Sequence, residues 1–451
     1  MEDNSGFLTT NIKSLDTVFL ENRNDRMDYM FLKGETNLQE DFYSYQDRNE
    51  NLIFMKIGIA DWNELQEQYA GEICEKTYQR FCENINMLYQ NQVRLYTTQT
   101  GEVFLLGDSN LDAKMLFARI EKEDAKQQYS EETMLYYSLY AGYVEIAVER
   151  ETYQSARKKL EFACKCAWLD GNGQITGFQE ERYEKYLRKL SIKEQLKYDV
   201  AHDFQGFEVY YQPIVSGDTK EVSGAEALLR WKSQKYGMVS PAEFIPVLEQ
   251  TGLIVPVGKW VLYTAICQCK EWQRYRKEFR MNINLSHIQL KQSDVSRDLI
   301  KDLKECKLDS KYVMLELTES GRVEKDSAVR HMIKHLQKMK VKLAIDDFGT
   351  GYSNFCYLKD LKVHIIKIDR TFVANSLASD YQYKLLRHII EMAHGVQLQV
   401  CLEGIESEKE LEKVSPLKPD YIQGYLFGHP VDAAAFLEKN LLRYIEEVEV
   451  K

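Results

Sequence analysis

The sequence contains no long hydrophobic run. No segment approaches the roughly 18 consecutive apolar residues that a membrane-spanning helix needs. The N-terminal stretch Met1–Asp16 also lacks the basic region followed by an apolar run that marks a secretory signal peptide. From these two absences we expect a cytoplasmic protein with no membrane span.

Cysteine and histidine patterns that form disulfides or bind metals are missing too. The nine cysteines are an odd number without a disulfide-like spacing. Cys267 and Cys269 are too close together to form a CxxC pair, and so are Cys164 and Cys166. None of the eight histidines belongs to a metal-binding pair such as HExxH. A reducing compartment fits this cysteine usage best.

An excess of positive charge is also absent. The formal net charge is −11, from 59 basic and 70 acidic residues, and this argues against a broad nucleic-acid-binding surface. We therefore expect neither DNA nor RNA as a partner. A small phosphorylated ligand held by a metal stays compatible with the charge.

The composition that is present is that of an ordinary globular protein, with 44% hydrophobic and 29% charged residues. At about 150 residues per domain, the chain of 451 residues predicts two or three domains, or one large barrel and a smaller domain. We interpret the polar residues 1–25 as an N-terminal extension and residues 26–180 as the smaller domain. The charged segment 181–200 is a predicted helical linker, and residues 187–445 form the large domain.

The smaller domain has an α/β pattern with mixed strand order. Its predicted strands are Asn51–Ala60, Val93–Thr97, Val103–Leu106 and part of Leu135–Val148. Its predicted helices are one or two within Asp61–Gln90, followed by Ala113–Glu121 and Tyr153–Leu169. A turn and a short strand at Gly171–Phe178 close the domain.

The large domain alternates strand and helix regularly. Eight short strands are predicted, at Glu208–Ile214, Gly224–Arg230, Met281–Leu285, Tyr312–Leu317, Val341–Ile345, Ile365–Ile368, Gln399–Leu402 and Tyr421–Gln423. Helices are predicted between them, for example at Ala242–Gln250, Gly258–Gln273, Ser327–Met339, Tyr381–Ala393 and Glu408–Val414. Eight such units in about 250 residues match the size of a (βα)8 TIM-like barrel. The same alternation is compatible with an open doubly wound sheet.

Polar side chains lie at or near the ends of these strands. In the run Lys342–Tyr357, an apolar strand ends in the adjacent acids Asp346 and Asp347, and a Gly-Thr-Gly turn follows. Alone, this pair also fits two solvated acids before a turn. In a barrel, however, the strand carboxyl ends meet at one rim, so side chains from several strands surround one small volume. The further polar residues near strand ends are Glu226, Arg230, Asn284, Glu316, Glu319, Lys367, Asp369, Glu403, Glu406 and Gln423.

This set of oxygen ligands predicts hard metal cations. Carboxylates crowded together repel one another unless cations lie between them, and Mg²⁺ and Mn²⁺ prefer oxygen ligands. Two such ions about 3.5–4 Å apart are the usual device for cleaving a phosphodiester. Lys367 can position or deprotonate water or stabilise charge on phosphate, and Arg230 suits bidentate phosphate contact. Because no histidine lies among the strand ends, a zinc hydrolase is disfavoured.

The large domain resembles the EAL domain family of cyclic di-GMP phosphodiesterases. The family name corresponds to Glu226-Ala227-Leu228. Further matching motifs follow in the family's order, namely YQPI at Tyr211–Ile214, NLS at Asn284–Ser286, ELTE at Glu316–Glu319, DDFGTGYS at Asp346–Ser353, KID at Lys367–Asp369, EGIE at Glu403–Glu406 and QGYLF at Gln423–Phe427. The resemblance implies hydrolysis of cyclic di-GMP to linear 5′-pGpG with two Mg²⁺ or Mn²⁺ ions, and a homodimer formed through the barrel.

The resemblance also implies roles for individual residues. The implied metal ligands are Glu226, Asn284, Glu316, Asp346, Asp347 and Glu403. Lys367 would lie beside the nucleophilic water, supported by Asp369 and Gln423. Glu319 would anchor the loop Phe348–Asn354, which in the family is tied to substrate binding and dimerisation.

Substrate contacts are implied for Gln212 and Arg230, with Glu406 at the edge of the site. Three positions depart from the family pattern, at Asn354, Leu402 and His429, and none of them is an implied metal ligand.

The smaller domain resembles the GGDEF domain family of diguanylate cyclases in its element order and in its ending, Gly171–Phe178. The signature loop falls at Thr100–Phe104, where Val103 replaces the acid, and the family's upstream metal aspartate falls on Gly58. The guanine-reading Asn falls near Gln66. Without those carboxylates we expect no GTP condensation, and the domain is then a regulatory, nucleotide-binding, dimerising or purely structural part.

These observations predict a metal-dependent cyclic di-GMP phosphodiesterase with a degenerate GGDEF-like domain. One alternative is a non-catalytic receptor that binds cyclic di-GMP and signals through the N-terminal half. Others are a cyclase or bifunctional enzyme, against which Gly58 and Val103 argue, and a different barrel chemistry.

Overall fold

The computed structural model of the chain describes residues 33–47, 51–89, 93–99, 101–108, 110–128, 135–147, 151–171, 173–318, 327–349 and 363–442. The predicted extension, residues 1–25, lies outside these ranges. The chain divides into two compact units, Met1–Leu187 and Arg188–Lys451.

The first unit contains a five-stranded sheet. Its strands are β1 (Leu52–Ile59), β2 (Val93–Tyr96), β3 (Glu102–Asp108), β4 (Leu139–Ile146) and β5 (Ile175–Gly177), in the order β2-β3-β1-β4-β5. Its helices are α1 (Glu35–Asp47), α2 (Trp62–Gln68), α3 (Gly71–Tyr89), α4 (Ala113–Gln128) and α5 (Tyr153–Asp170). β1 runs antiparallel to β3 and β4, whereas β5 is parallel to β4.

The central strand β1 is buried along its whole length because helices cover both faces of the sheet. Alternate residues point to opposite faces. Met55 and Ile57 pack in a core with Phe81 of α3, whereas Phe54 packs on the other face with Phe42 of α1. The strands and helices predicted for this part of the sequence are present in the structure. Helix α6 (Glu180–Ala201) follows and contains the division between the two units.

The second unit is a closed eight-stranded barrel. Its strands are β6 (Phe207–Ser216), β7 (Val222–Ser233), β9 (Arg280–Leu285), β10 (Val313–Thr318), β11 (Lys342–Phe348), β12 (Ile365–Ile368), β13 (Gln399–Leu402) and β14 (Tyr421–Gln423), with β8 (Gly237–Val239) paired to the end of β7. The sheet closes because β6 pairs with both β14 and β7. Each of the eight predicted strands overlaps one barrel strand, and the closure excludes the open-sheet alternative.

Helices cover the outside of the barrel. They are α7 (Pro241–Thr251), α8 (Ile254–Trp272), α9 (His287–Gln292), α10 (Val295–Cys306), α11 (Ser327–Lys338), α12 (Arg370–Ala378), α13 (Asp380–Gly395), α14 (Glu408–Val414) and α15 (Ala433–Phe436). Their buried faces join the outward-facing strand residues in one large core, which includes Trp231, Trp272 and Phe279.

The first barrel strand differs from the expectation. β6 runs antiparallel to both of its neighbours, because it forms a hairpin with β7 in place of a strand-helix-strand unit. The carboxyl end of β6 therefore points away from the rim at which the other strands end. Gln212 still reaches the rim, since it lies within β6 opposite Glu226 of β7.

One cysteine pairing also differs from the expectation. Cys267 in α8 and Cys306 in α10 form a disulfide, although no local spacing in the sequence indicated one. Their sequence separation is 39, and two packed helices bring their Cα atoms to 5.2 Å. The other cysteines of the described part of the chain are free and buried.

Among the described residues, no single helix is both long enough and apolar enough to cross a bilayer. The pair α7 and α8, bent by 119° between the two helices, reaches that length and apolar composition only when the helices are taken together.

The contact between Gly217 and the Pro419–Asp420 segment yields a stability prediction. The Gly217 amide donates to the Asp420 carbonyl at 2.7 Å, and a Cβ on Gly217 would overlap the Pro419 carbonyl oxygen. Because backbone atoms cannot move aside cheaply, we expect Gly217→Ala to lower the free energy of unfolding by about 1–3 kcal/mol. Gly395→Ala is the matched control, since nothing lies within 4 Å of that Cβ position. Urea denaturation of both variants tests this, and equal midpoints would contradict it.

Candidate active site

The polar side chains of the barrel interior lie two positions along each strand from an inner apolar layer. A small apolar cluster, which includes Met314, Ala344, Ile365 and Cys401, fills one layer inside the barrel. Two positions further along the same four strands come Glu316, Asp346, Lys367 and Glu403. Because strand side chains alternate with a period of two, these residues lie on the same interior face, one layer nearer the rim. On the antiparallel strand β6 the order reverses, so Gln212 precedes Ile214.

Lys367 lies at the centre of this polar layer. Its Nζ atom is 2.6 Å from a Glu403 carboxylate oxygen and 2.7 Å from one of Glu316. Oxygens of Glu226 and Asp346 are each 3.3 Å away. The Lys367 side chain is only 1% exposed, so the ammonium exchanges water for carboxylates from four different strands.

Carboxamides complete the hydrogen bonds of these carboxylates. Asn284 and Gln423 donate to the two oxygens of Glu226, at 2.6 and 2.7 Å. Gln423 also donates to Gln212 at 3.0 Å, and Gln212 donates to the Gly428 carbonyl at 3.2 Å. These hydrogen bonds link the neighbouring strands β6, β14, β7 and β9 and fix the position of the Glu226 carboxylate.

The charges of the cluster do not balance. Four carboxylates, those of Glu226, Glu316, Asp346 and Glu403, surround one ammonium group, and a fifth, that of the exposed Asp347, lies beside Asp346 and Glu403. Burial, together with the neighbouring carboxylates Asp346 and Glu226, raises the pKa of Glu403 to about 8, although Lys367 acts to lower it. Burial also raises the pKa of Glu316 well above its usual range. The cluster therefore takes up protons in the absence of additional cations.

The pKa values of two other carboxylates, Glu226 and Asp347, shift for different reasons. Burial opposes the charged form of Glu226, but Lys367 and the carboxamide donors outweigh it and lower the pKa of Glu226. Desolvation, together with the nearby Asp346 and Asp369 carboxylates, raises the pKa of Asp347 to about 6. Lys367 itself keeps its proton, since the four carboxylates outweigh its burial and raise its pKa.

Asp346, Asp347 and Glu403 form the group that could hold a metal ion. One carboxylate oxygen from each lies within 4.8 Å of the others. Adjacent strand residues normally point to opposite faces, but the β11–β12 register shifts between Ile345 and Phe348, and Asp347 has a φ of 54°. Because of this irregularity, the side chains of both aspartates lie near Glu403. The Oδ1 atom of Asp346 is buried and accepts no well-oriented hydrogen bond from the described residues, although the Lys367 ammonium lies 3.3 Å away. An oxygen with this incomplete coordination can also contact a further cation.

Two cavities adjoin the cluster, and Glu226 and Asp346 line both. One, of 340 Å³, is largely apolar and is also lined by Arg230 and Pro241. The other, of 220 Å³, is also lined by Tyr425. A ligand in either cavity would contact the same carboxylates.

Four predicted residues lie at the margin of the cluster or outside the described residues. Asp369 caps α12, where its Oδ1 accepts from the Thr371 amide at 2.8 Å. Glu406 forms a bidentate ion pair with Arg370 at 2.8 and 3.0 Å, beside the smaller cavity. Arg230 lines the larger cavity and donates to the Leu229 carbonyl at 3.1 Å. Glu319 lies outside the described residues, as do residues 350–354 of the predicted loop.

Two residues that contact the site residues were not predicted from the sequence. Asn282 is buried and donates to Glu316 at 2.6 Å, and its signal is its place two positions before Asn284 on one strand. Arg370, directly after the KID motif, was not predicted because its partner Glu406 lies in the loop after another strand and the sequence does not show this contact. Tyr425 stacks on His429, with ring centroids 4.1 Å apart, so the departure at His429 lies against a wall of the smaller cavity.

Together, the fold and this site define a barrel protein with a lysine-centred carboxylate cluster at the carboxyl ends of its parallel strands, able to hold a metal ion. The sequence model of the EAL domain matches residues 194–430, which is more than half of the chain. The chain therefore belongs to the EAL domain family.

Two similar proteins carry names that state an activity. Cyclic di-GMP phosphodiesterase PdeR of Escherichia coli is 32% identical over 276 residues, which is 61% of this chain and 41% of PdeR. Bifunctional diguanylate cyclase/cyclic di-GMP phosphodiesterase MucR of Pseudomonas aeruginosa is 35% identical over 231 residues, which is 51% of this chain and 34% of MucR. The chain thus spans well under half the length of either relative.

Solved structures show the same fold. The PaMucR phosphodiesterase in complex with cyclic di-GMP matches with a TM-score of 0.50 and 32% identity, over 54% of this chain and all of that one. The EAL enzyme Bd1971 in its cAMP-bound form matches with a TM-score of 0.54 and 23% identity, over 86% of this chain and 95% of that one.

The raised pKa of Glu403 gives a prediction about metal binding. A metal ligand must be ionised, and Glu403 retains its proton below about pH 8 in the cation-free protein. At about pH 6.5, binding of Mn²⁺ is then expected to release at least one proton, since the pKa of Glu316 is also raised, and the affinity is expected to rise as the pH increases towards 8. Calorimetric titration with Mn²⁺ in buffers of different ionisation enthalpy measures that release.

Two variants serve as controls for this titration. Glu403→Gln should reduce the proton release and weaken binding, whereas Glu408→Gln, which removes an exposed acid of α14, should change neither. An enthalpy independent of the buffer, with a flat affinity across this pH range, would contradict the prediction.

Proposed function

We propose that this protein hydrolyses cyclic di-GMP to linear 5′-pGpG at the barrel site, with two Mg²⁺ or Mn²⁺ ions as cofactors. The observation that carries the proposal is the cluster of four carboxylates around Lys367, with Asp346, Asp347 and Glu403 forming a group at its edge that could hold a cation. Membership of the EAL family and the activity in the names of the similar proteins PdeR and MucR support the substrate.

The donor set fits two hard cations. All proposed ligands are oxygen donors, namely Glu226, Asn284, Glu316, Asp346, Asp347 and Glu403. Four carboxylates in contact with one ammonium leave negative charge that divalent cations would neutralise. The buried Asp346 Oδ1 accepts no well-oriented hydrogen bond from the described residues beside its 3.3 Å ion pair with Lys367. Bound cations would supply Lewis-acid polarisation of the phosphate and a water of lowered pKa.

Side chains of the chain itself would orient the reaction. In the cation-free cluster the carboxylates raise the pKa of Lys367, and the protonated side chain would act as a positive charge and hydrogen-bond donor towards the attacking water or the phosphate. Gln423 holds Glu226 in place through its 2.7 Å hydrogen bond. Asp369, at the start of α12, supports the loop next to Lys367.

Substrate contacts are proposed for the two cavities beside the cluster. Arg230 in the larger cavity offers a planar cation for a phosphate, and Gln212 in the smaller one offers a carboxamide for phosphate or sugar. Glu406 borders the same small cavity through its ion pair with Arg370, which orients the edge of the site.

The second candidate function is a non-catalytic receptor for cyclic di-GMP. This reading would gain support from a missing ligand, but every proposed metal ligand position is filled in this sequence. The phosphodiesterase therefore accounts for the residues better.

For the N-terminal half we propose a GGDEF-like domain that regulates and does not synthesise cyclic di-GMP. Three observations support the absence of cyclase chemistry. A Cβ on Gly58 would overlap the Tyr140 ring, so the space for a carboxylate there is filled. Val103 is fully buried among apolar side chains. The buried Lys56 binds Glu102 and Glu161 at 2.9 and 2.6 Å, and Arg157 also pairs with Glu161 at 2.9 Å, so both carboxylates are already paired with cations.

We also propose a homodimer formed through the barrel, with Glu319 and the Phe348–Asn354 loop coupling the dimer to the site. Sedimentation and activity of a Glu319→Ala variant test this step. Unchanged values for both would contradict a role of the loop in coupling the dimer to the site.

The hydrolysis proposal predicts a metal-dependent activity. We expect linear 5′-pGpG from cyclic di-GMP with Mg²⁺ or Mn²⁺, and none in EDTA. Glu226→Ala removes a ligand and a Lys367 partner, so turnover should fall about 100-fold or more. Glu208→Ala removes an exposed acid of β6 and should leave turnover unchanged.

The assay distinguishes the two candidate functions. Absence of product with either metal, combined with binding of cyclic di-GMP in EDTA, would establish the receptor instead. Full turnover in Glu226→Ala would exclude the proposed site.

The proposal for the N-terminal half predicts that GTP with Mg²⁺ or Mn²⁺ yields no cyclic di-GMP. Because Tyr140 fills the space beside residue 58, Gly58→Asp alone should not create this activity either. Chromatography of the nucleotides measures the outcome in a variant with the barrel inactivated by Glu226→Ala, so that no product is degraded. Cyclic di-GMP formed from GTP by the otherwise unchanged N-terminal half would contradict the prediction.

A further inference from the structure

The disulfide Cys267–Cys306 lies on the outer surface of the barrel, away from the carboxylate cluster. It joins α8 to α10 at one end of a line of contacts between these helices. Lys259 pairs with Asp298 at 2.7 Å, and Tyr263 donates to Glu305 at 2.9 Å. Lys259, Tyr263 and Cys267 are spaced four residues apart, so they occupy one face of α8.

These two sulfurs differ from the other cysteines in their accessibility. Cys267 and Cys306 are both partly exposed, whereas each free cysteine of the described ranges is buried. A thiol reagent in solution can reach a sulfur only where the surface is open, so this pair is the accessible one in the described part of the chain.

A basic cleft adjoins the disulfide. Its volume is 360 Å³, and besides the two cysteines it is lined by Lys270, Glu271, Gln273 and Arg274. Within the described part of the chain, neither Lys270 nor Arg274 forms an ion pair, so two cations face one acid. Positive charge next to sulfur stabilises a thiolate and attracts an anionic thiol.

We propose that Cys267–Cys306 is a reversible thiol–disulfide exchange site whose co-substrate is a low-molecular-mass thiol that carries negative charge. The incoming thiolate attacks one cysteine sulfur, a mixed disulfide forms, and the other cysteine leaves as a thiolate that takes up a proton. A second thiol molecule then releases the first cysteine. The balance is one protein disulfide and two thiols converted to two protein thiols and one small disulfide.

The reaction is reversible, so the small-molecule disulfide can oxidise the two cysteine thiols back to the protein disulfide. In a reducing compartment, exchange of this kind gives a disulfide whose population follows the ratio of oxidised to reduced thiol. The two states differ in whether α8 is covalently tied to α10. Since Ile254, Gly258 and Val261 of α8 line the larger cavity beside the carboxylate cluster, the tied helix is also part of the wall of the candidate active site.

The first experiment counts thiols in the full-length folded protein. The protein is equilibrated with mixtures of 2-mercaptoethanesulfonate and its disulfide, alkylated without denaturant, and digested for mass spectrometry. We expect two additional alkyl groups under reducing conditions, on the peptides that contain Cys267 and Cys306, and their loss under oxidising conditions. A thiol count that does not change with the mixture, or a disulfide reducible only after denaturation, would overturn the proposal.

The second experiment tests the basic cleft without altering either cysteine. At equal thiolate concentration, anionic 2-mercaptoethanesulfonate should reduce the disulfide several-fold faster than cationic cysteamine, and added salt should diminish that ratio. The double variant Lys270→Gln/Arg274→Gln should bring the ratio close to one, whereas Lys409→Gln, which removes an exposed lysine elsewhere, should leave it unchanged. A ratio that the double variant does not alter would overturn the assignment of an anionic thiol.

Discussion

The charge balance around Lys367 is the constraint on which the barrel interior depends. A buried ammonium is costly unless it is paired, and a group of buried carboxylates is costly without cations. Lys367 is paired with four carboxylates, and these outnumber it four to one. Protons or metal ions supply the remaining positive charge, and the raised pKa of Glu403 favours protons in the cation-free structure. The electrostatics therefore favour a group that could hold a cation.

The barrel produces this cluster by a simple geometric device. The apolar interior layer at Met314, Ala344, Ile365 and Cys401 excludes water below the site, and the polar layer lies two residues further along each strand. Closure of the sheet then turns separate sequence motifs into neighbours. The irregular register at Ile345–Phe348 adds Asp347 to the same side as Asp346, which a regular strand would not do.

The sequence predicted the barrel and most of the cluster because both depend on local periodicity. Strand lengths, helix spacing and the acids at the strand ends are all visible in single segments, and the barrel brings Glu226, Glu316, Asp346, Lys367 and Glu403 together as expected. Long-range facts could not be found in this way. The antiparallel direction of β6 depends on its hairpin with β7, and the disulfide depends on the packing of α8 against α10. Asn282 and the Arg370–Glu406 pair likewise acquire their roles only when distant segments meet.

A comparison of the two buried lysines shows why a lysine among acids does not by itself define a metal centre. Lys56 in the first unit binds Glu102 and Glu161, and Arg157 also pairs with Glu161 at 2.9 Å. Arg157 pairs with Glu35 as well, at 3.1 Å, so two cations face three carboxylates, and the third, Glu35, is half exposed. Lys367 has the same kind of partners, but four carboxylates contact this one ammonium. Because both lysines are almost fully buried, the difference lies in the number of carboxylates per cation, which favours additional cations in the barrel and a salt-bridge network in the first unit.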